Sequence, residues 1–477
     1  MTEANVGRML GRLVLPVALL GAVPGVPWAI GRGLESRLQE YREPFMSTVP
    51  WLHISSRRYE QGVFSSREEL DIEIAVGADP QRFTIINEVQ HGPIAGFGLP
   101  VLARVRSTLR LQGSADVTAR ELFGDVSPLT VVTRLGLLGG GHSEVTVPQL
   151  DTRMGPARAH VVWRGFKGEF DFTGHMDRLD AKASAPLLRV ESPQGDKMEL
   201  LGLVFSTNGR RVFSDLYAGS VAVKLDSIKA SGAGGLALNA TGVSYFGEVP
   251  VDGEFVDVIA RIGAEKAKIS GMDYGPAHYD ISFRHLHAPT LMQLTHELQR
   301  VSEKLRVSKD AALASFDDAA LQSAFRQLLL AKPRLVIDRI SATSPQGPFS
   351  VKGEAHFTDL HSSDLSQPSL LSLLPKLEAQ ADLSVPAAWA TQGARVLPRG
   401  APSYASAVAA TEELNVDELK PGGVVGGGVV AAPMPTADNE LDELVRRGFV
   451  ERKGDLVSTH IEYRQGKLLL NGRSFGE

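Results

Sequence analysis

Polar and apolar residues alternate along much of the chain, starting with one clear example near its beginning. Leu70, Ile72, Ile74 and Val76 are apolar, and they alternate with the carboxylates Glu69, Asp71 and Glu73. A period of two places the apolar side chains on one face of a strand and the carboxylates on the other. We therefore expect these carboxylates to form the solvated face of a sheet and not catalytic machinery.

The same period recurs between residues 101 and 111, with the opposite charge. Apolar residues alternate there with Arg104, Arg106 and Arg110, as a half-buried strand requires. If this strand lay beside the acidic one in a sheet, each pair of opposite charges would contribute about 0.2 to 1 kcal/mol. The sequence thus suggests a structural use for both sets of charges.

Long strand-like runs follow one another between residues 160 and 288, and strands resume after residue 333. The tetrapeptide SPQG occurs twice, at Ser192–Gly195 and Ser344–Gly347, each time between alternating runs. Proline in second place and glycine in fourth suit a tight turn, so both copies are predicted hairpin tips. The pattern indicates an antiparallel meander.

Residues 290–332 change to helical spacing, which predicts two helices joined near Ser308. The fold class is therefore α+β and mainly β, with an N-terminal transmembrane helix followed by an elongated antiparallel body and a helical insertion. The expected parts are residues 1–33 (anchor or signal), 34–289 (β-rich body), 290–332 (helical pair) and 333–477 (second β-rich part). The last part contains an Ala-, Gly- and Val-rich insert at 395–435, a short helix and a C-terminal hairpin.

The segment from Leu13 to Ile30 contains no charged residue. As a helix it would extend about 27 Å, close to the thickness of a bilayer's hydrocarbon core. No A-x-A arrangement follows it, which favours a retained anchor over a cleaved signal, although Pro24 and Pro27 disfavour an unbroken helix. A buried segment of a soluble protein is the third interpretation. The residues expected in the membrane include Leu13, Leu19, Leu20, Val23, Trp28 and Ile30.

Composition excludes several classes of function. The formal net charge is −5 and there is no concentrated basic run, so nucleic acid is not an expected partner. The absence of cysteine excludes disulfides, zinc-thiolate sites, iron-sulfur clusters and thiol nucleophiles. No phosphate-binding loop or dinucleotide fingerprint is present. We expect no cofactor.

Three histidines are the weak candidates for chemistry. His91 could act as a general acid or base because histidine titrates near neutrality, but the Gly92-Pro93 pair after it is more typical of a structural corner. His285 and His287 could begin a metal site, yet no further ligand stands near them in the sequence. We therefore expect exposed strand histidines and no metal.

Three short elements resemble the YdgA-like family of bacterial proteins of unknown function. They are YEQGVFSSREELDIEI at 59–74, FTIINEVQHGPI at 83–94 and HIEYRQGKLLLNGRSF at 460–475. The motif residues are Tyr59, Gly62, Phe64, Ser65, Ser66, His91, Gly92, Pro93, Tyr463, Gly466, Leu468, Asn471 and Gly472. The resemblance implies a single-pass inner-membrane anchor with most of the chain in the periplasm, and it supplies no catalytic residues.

Three functions from different classes follow. The first is a non-enzymatic, membrane-tethered module that interacts with envelope proteins; homo-oligomerisation is left open. The second is binding or transfer of lipid or another hydrophobic ligand, if one face of the sheet stays apolar and uncovered. The helices at 290–331 would decide this by capping that face or leaving it open. The third is a metal- or histidine-dependent hydrolase.

Overall fold

The computed structural model describes residues 52–62, 65–74, 81–91, 101–136, 139–154, 158–213, 216–232, 235, 237–307, 319–365, 373–394 and 437–475. The chain divides into two compact units, which are described separately. The first unit takes residues 1–250 and 292–318, and the second takes residues 251–291 and 319–477.

The first unit is built on antiparallel strands. They are β1 (Leu52–Gln61), β2 (Ser65–Ile74), β3 (Gln81–His91), β4 (Ala103–Leu111), β5 (Thr130–Leu135), β6 (Gly141–Val147), β7 (Leu150–Met154), β8 (Ala159–Trp163), β9 (Phe166–Phe172), β10 (Arg178–Glu191), β11 (Lys197–Phe213), β12 (Leu216–Ser231) and β13 (Ala237–Val249). Helix α1 (Ser114–Phe123) follows β4, and a 3-10 turn (Gly174–Met176) precedes β10.

The strands of this unit pair in the order β1-β2-β3-β4-β5-β6-β9-β10-β11-β12-β13. The first half of β10 pairs with β9, and its second half pairs with β8, which in turn pairs with β7. Most neighbours in the sheet are therefore also neighbours in the sequence, as in a meander.

Two hydrophobic clusters form the core of the first unit. In one, Leu70 and Phe83 of β2 and β3 pack in the same cluster as Phe170 and Ala181 of β9 and β10. Strands that lie this far apart in the sheet share a cluster only if the sheet coils strongly, as twisted sheets do. The second cluster includes Val145, Trp163 and Leu188.

The second unit is a further antiparallel sheet with helices. Its strands are β14 (Val251–Asp252), β15 (Phe255–Ala264), β16 (Lys266–Ile269), β17 (Met272–Tyr274), β18 (Ala277–His287), β19 (Arg334–Ser344), β20 (Gly347–Phe357), β21 (Leu377–Pro386), β22 (Glu451–Lys453), β23 (Leu456–Arg464), β24 (Lys467–Leu470) and β25 (Arg473–Ser474). Its helices are α3 (Ala319–Leu330), α4 (Ala387–Ala394), α5 (Ala437–Arg446) and two 3-10 turns (Ser362–Leu365, Leu374–Lys376). Helix α2 (Ala288–Val307) begins in this unit, and its residues from Met292 belong to the first.

The main sheet of the second unit has the strand order β15-β18-β19-β20-β21-β23. Helix α4 follows β21 directly, and its Trp389 packs on Phe349 of β20 with ring centroids 5.1 Å apart. Leu441 of α5 and Phe449 after it are buried. These helices therefore cover apolar side chains at one end of the sheet.

The structure confirms the mainly β, antiparallel fold predicted from alternation. Both SPQG sequences are hairpin tips, between β10 and β11 and between β19 and β20. Two helices, α2 and α3, occupy the region of helical spacing. The charge-free N-terminal segment and the 395–435 insert lie outside the described residues. Within the described ranges, no helix is both long enough and apolar enough to cross a bilayer.

Candidate functional site

Strand β2 carries polar residues on its inward face as well as on its outward one. Glu68 lies on the same face as Leu70 and is 1% exposed, and Ser66 is also buried. The expectation that chemically suggestive side chains point outward is therefore wrong for these two residues. Alternation assigns residues to two faces, but it cannot tell how far along the strand the inner face stays apolar.

The buried carboxylate of Glu68 is neutralised by direct contacts. Its Oε1 accepts a hydrogen bond from Nε of Arg57 on β1, at 2.6 Å, and its Oε2 accepts one from Nδ2 of Asn87 on β3, at 3.1 Å. A carboxylate taken out of water is tolerated only when it is paired and hydrogen-bonded in this way. Glu68, Asn87 and Ser107 stand side by side on β2, β3 and β4, and we call these three residues the polar row.

Two atoms of the polar row have unused hydrogen-bonding capacity. Oδ1 of Asn87 and Oγ of Ser107 are buried and have no hydrogen-bond partner among the described residues. A buried polar atom without a partner costs about 1 to 3 kcal/mol. Further along the same face, Thr133 and Ser143 avoid this cost because their hydroxyls bond each other at 2.9 Å.

His91 lies at the end of β3, beside the polar row. Its Nε2 is 2.9 Å from Oγ of Ser66, so two motif residues far apart in sequence contact each other. This is a serine–histidine contact, and the nearby Glu68 accepts hydrogen bonds from Arg57 and Asn87. A hydrolytic triad would need a carboxylate that orients the imidazole. Phe64, Gly92 and Pro93 of the motif lie outside the described residues.

The outward carboxylates of β2 are structural, as the sequence predicts. Glu69 pairs with Arg58 and Arg67, and Glu73 pairs with Arg82. Hydrogen bonds from the hydroxyls of Ser56 and Thr84 hold the pKa of Asp71 below its usual value.

The expected pairing between the acidic face of β2 and the basic face of β4 is wrong. Strand β3 separates the two strands, and the carboxylates of β2 pair with arginines of β1, β2 and β3 instead. Arg104, Arg106 and Arg110 of β4 are exposed and form no ion pair with any described residue. Neighbours in a sheet depend on the path of the chain, which alternation does not encode.

His285 and His287 lie near one another, as their spacing suggests, but each ring already has neighbours. Both rings contact Phe255, with centroid distances of 3.9 and 5.6 Å. His285 lies at a register shift in β18 and has a positive φ of 58°. His287 Nδ1 is 2.7 Å from the hydroxyl of Thr290. No group of three or more metal-ligating side chains occurs among the described residues.

The C-terminal motif residues form two tight turns. Gln465 and Gly466 both have positive φ between β23 and β24, and Asn471 and Gly472 both have positive φ between β24 and β25. Consecutive positive φ values are typical of type I′ hairpins, in which Asn and Gly are favoured. The side-chain oxygen of Asn471 also accepts a hydrogen bond from the backbone of His460, at 2.8 Å. Tyr463 and Leu468 are cross-strand partners in the same hairpin.

One face of the main sheet in the second unit is apolar from strand to strand. We call it the apolar face. Three rows of register partners cross β15, β18, β19, β20, β21 and β23: Val258–Phe283–Leu335–Ala355–Ala379–Tyr463, Ala260–Ile281–Ile337–Gly353–Ala381–Ile461 and Ile262–Tyr279–Ile340–Val351–Leu383–Thr459. Only Thr459 among these is a small polar residue.

The other face of this sheet is polar and paired. Arg339 binds Asp280 at 2.8 Å, Arg284 binds Asp338, and His460 Nδ1 is 2.7 Å from Asp382. The hydrogen bond to Asp382 raises the pKa of His460, and the negative charges of Asp382 and Glu462 act in the same direction. The sheet thus has one face of paired polar residues, on which Asp280 and Ser282 are buried, and one face suited to a hydrophobic layer.

The apolar face is not fully covered. Phe283, Tyr279 and Ile262 are 49%, 47% and 46% exposed, and Leu335 and Val258 are exposed as well. The β15–β18–β19 part of the face is therefore open. Large apolar side chains clustered on a surface mark binding sites for ligands, membranes or proteins.

These features define a mainly β protein with a neutralised polar row in one unit and an open apolar face in the other. The chain belongs to the family described as "Bacterial protein of unknown function (DUF945)", whose profile matches residues 11–477. No curated protein and no solved structure matches the chain.

Proposed function

We propose that the protein binds the acyl chain of a lipid, or a similar hydrophobic ligand, on the apolar face of its second unit. The observation that carries this proposal is the half-exposed set of Ile262, Tyr279 and Phe283, which lie on the same face of the neighbouring strands β15 and β18. Fully burying one large apolar side chain is worth about 1.5 to 3 kcal/mol, so about 1 kcal/mol remains available at each half-exposed residue. A hydrophobic ligand would supply the missing cover.

The size of the apolar face supports this ligand class. The open part of the face, on β15, β18 and β19, is about 10 Å wide at about 4.8 Å per strand, and three rows along a strand span about 14 Å. One leaflet of a bilayer has a hydrocarbon layer of about 15 Å. The apolar face is therefore large enough to lie along most of an acyl chain.

The membrane context is part of the same proposal. A charge-free segment from Leu13 to Ile30 and membership of a bacterial family support a YdgA-like protein anchored in the inner membrane, with its bulk in the periplasm. An anchor of this kind would keep the apolar face close to a source of lipid.

The proposal is tested with the full-length chain and the fluorescent fatty acid cis-parinaric acid. Wild-type protein is expected to bind this probe, and Phe283→Lys is expected to weaken binding at least tenfold because it places a charge within the apolar face. Phe325→Lys on α3 is the matched control, since Phe325 is 52% exposed and is not a member of the apolar face. The control is expected to bind like the wild type.

Native mass spectrometry of the protein as purified supplies a second readout, in which copurifying lipid is expected with the wild type and is depleted in Phe283→Lys. Failure of the wild type to bind the probe, or equal weakening by both lysine substitutions, would refute the proposed ligand class.

A non-enzymatic interaction module of the cell envelope is the second candidate function. The exposed arginines of β4, which form no ion pair within the described part of the chain, favour it, since such side chains are available to a partner. A hydrolase is the third candidate, resting on the contact between Ser66 and His91.

A further inference from the structure

The outward face of β4 carries three arginines without a carboxylate partner among the described residues. Arg104, Arg106 and Arg110 are exposed, and no side chain of the three forms an ion pair or hydrogen bond with a described residue. Arg134 on β5 is the cross-strand partner of Arg104. We call these four residues the arginine row.

At one point the arginine row places two like charges on neighbouring strands. Arg104 and Arg134 stand directly opposite each other, and like charges in that position destabilise a pair of strands. Arg134 is relieved by Glu144, at 3.1 Å. On β3, the register partner of Arg104 is Gln90 and that of Arg106 is Glu88. Glu88 forms no ion pair with a described residue.

The same face of the sheet provides an internal comparison. On β1, β2 and β3, Arg58 and Arg67 pair with Glu69, while Arg82 pairs with Glu73. Arginines with and without a carboxylate partner among the described residues therefore lie on neighbouring strands of one surface. The three without such a partner lie on β4, in a chain whose formal net charge is −5.

We propose that the arginine row docks the protein onto an anionic lipid surface. Guanidinium groups bind phosphate oxygens through two parallel hydrogen bonds. Along the extended strand, Arg104 and Arg106 are about 7 Å apart and Arg106 and Arg110 are about 13 Å apart, which suits an array of headgroups better than one anion. The choice of a lipid surface as partner rests on the proposed lipid-binding function. Docking would hold the protein against the membrane from which the ligand comes.

The test compares two triple variants of the full-length chain in vesicle cosedimentation. Arg104→Gln/Arg106→Gln/Arg110→Gln removes the free charges, and Arg58→Gln/Arg67→Gln/Arg82→Gln removes the same number of paired charges from the same face. Vesicles are phosphatidylcholine with and without phosphatidylglycerol. At about 1 kcal/mol per basic residue near an anionic surface, the first variant is expected to lose about a hundredfold in affinity for the anionic vesicles. The second is expected to lose no more than a few-fold.

The N-terminal apolar segment is present in every variant, so its contribution cancels in the comparison. Equal losses in both triple variants, or wild-type binding by the first, would overturn the proposal. Competition by inorganic phosphate at constant ionic strength would also overturn it, by indicating a discrete anion site. If the first triple variant lost more affinity for polyglutamate than for vesicles, the arginine row would be assigned to an acidic protein partner. That result would also overturn the proposal.

Docking and lipid binding are measured independently. In solution without vesicles, the first triple variant is expected to bind cis-parinaric acid like the wild type, because the substitutions lie in the first unit and the apolar face lies in the second. Loss of docking with retained probe binding supports both proposals. Retained docking without probe binding removes the lipid-binding function alone.

Discussion

Adjacent residues of one strand have opposite roles in β2. Glu68 and Glu69 have the same side chain, yet Glu68 is buried against Arg57 and Asn87, whereas Glu69 lies on the outer face between Arg58 and Arg67. A buried charge depends on its partners, while an exposed ion pair contributes little. Burial of the carboxylate, and not its charge alone, therefore decides how much it contributes to the free energy of unfolding.

This difference predicts the effect of truncation. Glu68→Ala leaves Arg57 and Asn87 without a shared acceptor, and it is expected to lower the free energy of unfolding by about 3 kcal/mol. Glu69→Ala is expected to change it by less than about 1 kcal/mol. Urea denaturation of the two variants, followed by circular dichroism, measures both values. Similar small losses in both variants would show that the polar row contributes little to stability.

One contact between the neighbouring strands β21 and β23 responds to pH. His460 on β23 reaches across to Asp382 on β21, and its pKa is raised mainly by that hydrogen bond. A raised folded-state pKa means that protonation stabilises the native state. The contribution is complete below the unfolded value of about 6.5 and disappears as the pH rises through the folded value.

His460→Gln is therefore expected to lower stability at pH 6 and to have almost no effect at pH 9. Because the side chain is more than a third exposed, the loss at pH 6 is expected to stay below about 1 kcal/mol. Thermal melts of the variant and the wild type across this range test the sign. In the Asp382→Asn background, the effect of His460→Gln on stability should lose most of its pH dependence. A loss of stability that grows toward high pH would contradict the role given to His460.

Elements of this chain were easier to predict than their arrangement. Period-two patterns and SPQG turns are local, and they correctly indicated strands such as β2, β4 and β18 and two hairpin tips. The insertion of β3 between β2 and β4 changed every predicted charge pair, because cross-strand partners are fixed by register and order. The contact between Ser66 and His91 was missed for the same reason.

The two units place their apolar residues differently. The first contains both large hydrophobic clusters, and the second exposes Phe283, Tyr279 and Ile262 together on one face of β15 and β18. The sequence suggests that such a face could exist, but only the register of β18 with its neighbours β15 and β19 shows that these residues lie on one face. Regions with fewer buried apolar contacts open more readily, and functional surfaces are often drawn from them.

Hydrogen exchange of the full-length chain, with and without cis-parinaric acid, tests whether this difference is functional. A ligand that binds only the native state raises the free energy of opening of the region it covers. The increase grows with the logarithm of the ligand concentration divided by Kd. Amides of β18 and β19 are therefore expected to exchange more slowly with the probe, and those of β2 and β3 to be unchanged. Phe283→Lys should abolish the slowing and Phe325→Lys should keep it. Equal slowing in both units, or slowing that persists in Phe283→Lys, would place the ligand somewhere other than the apolar face.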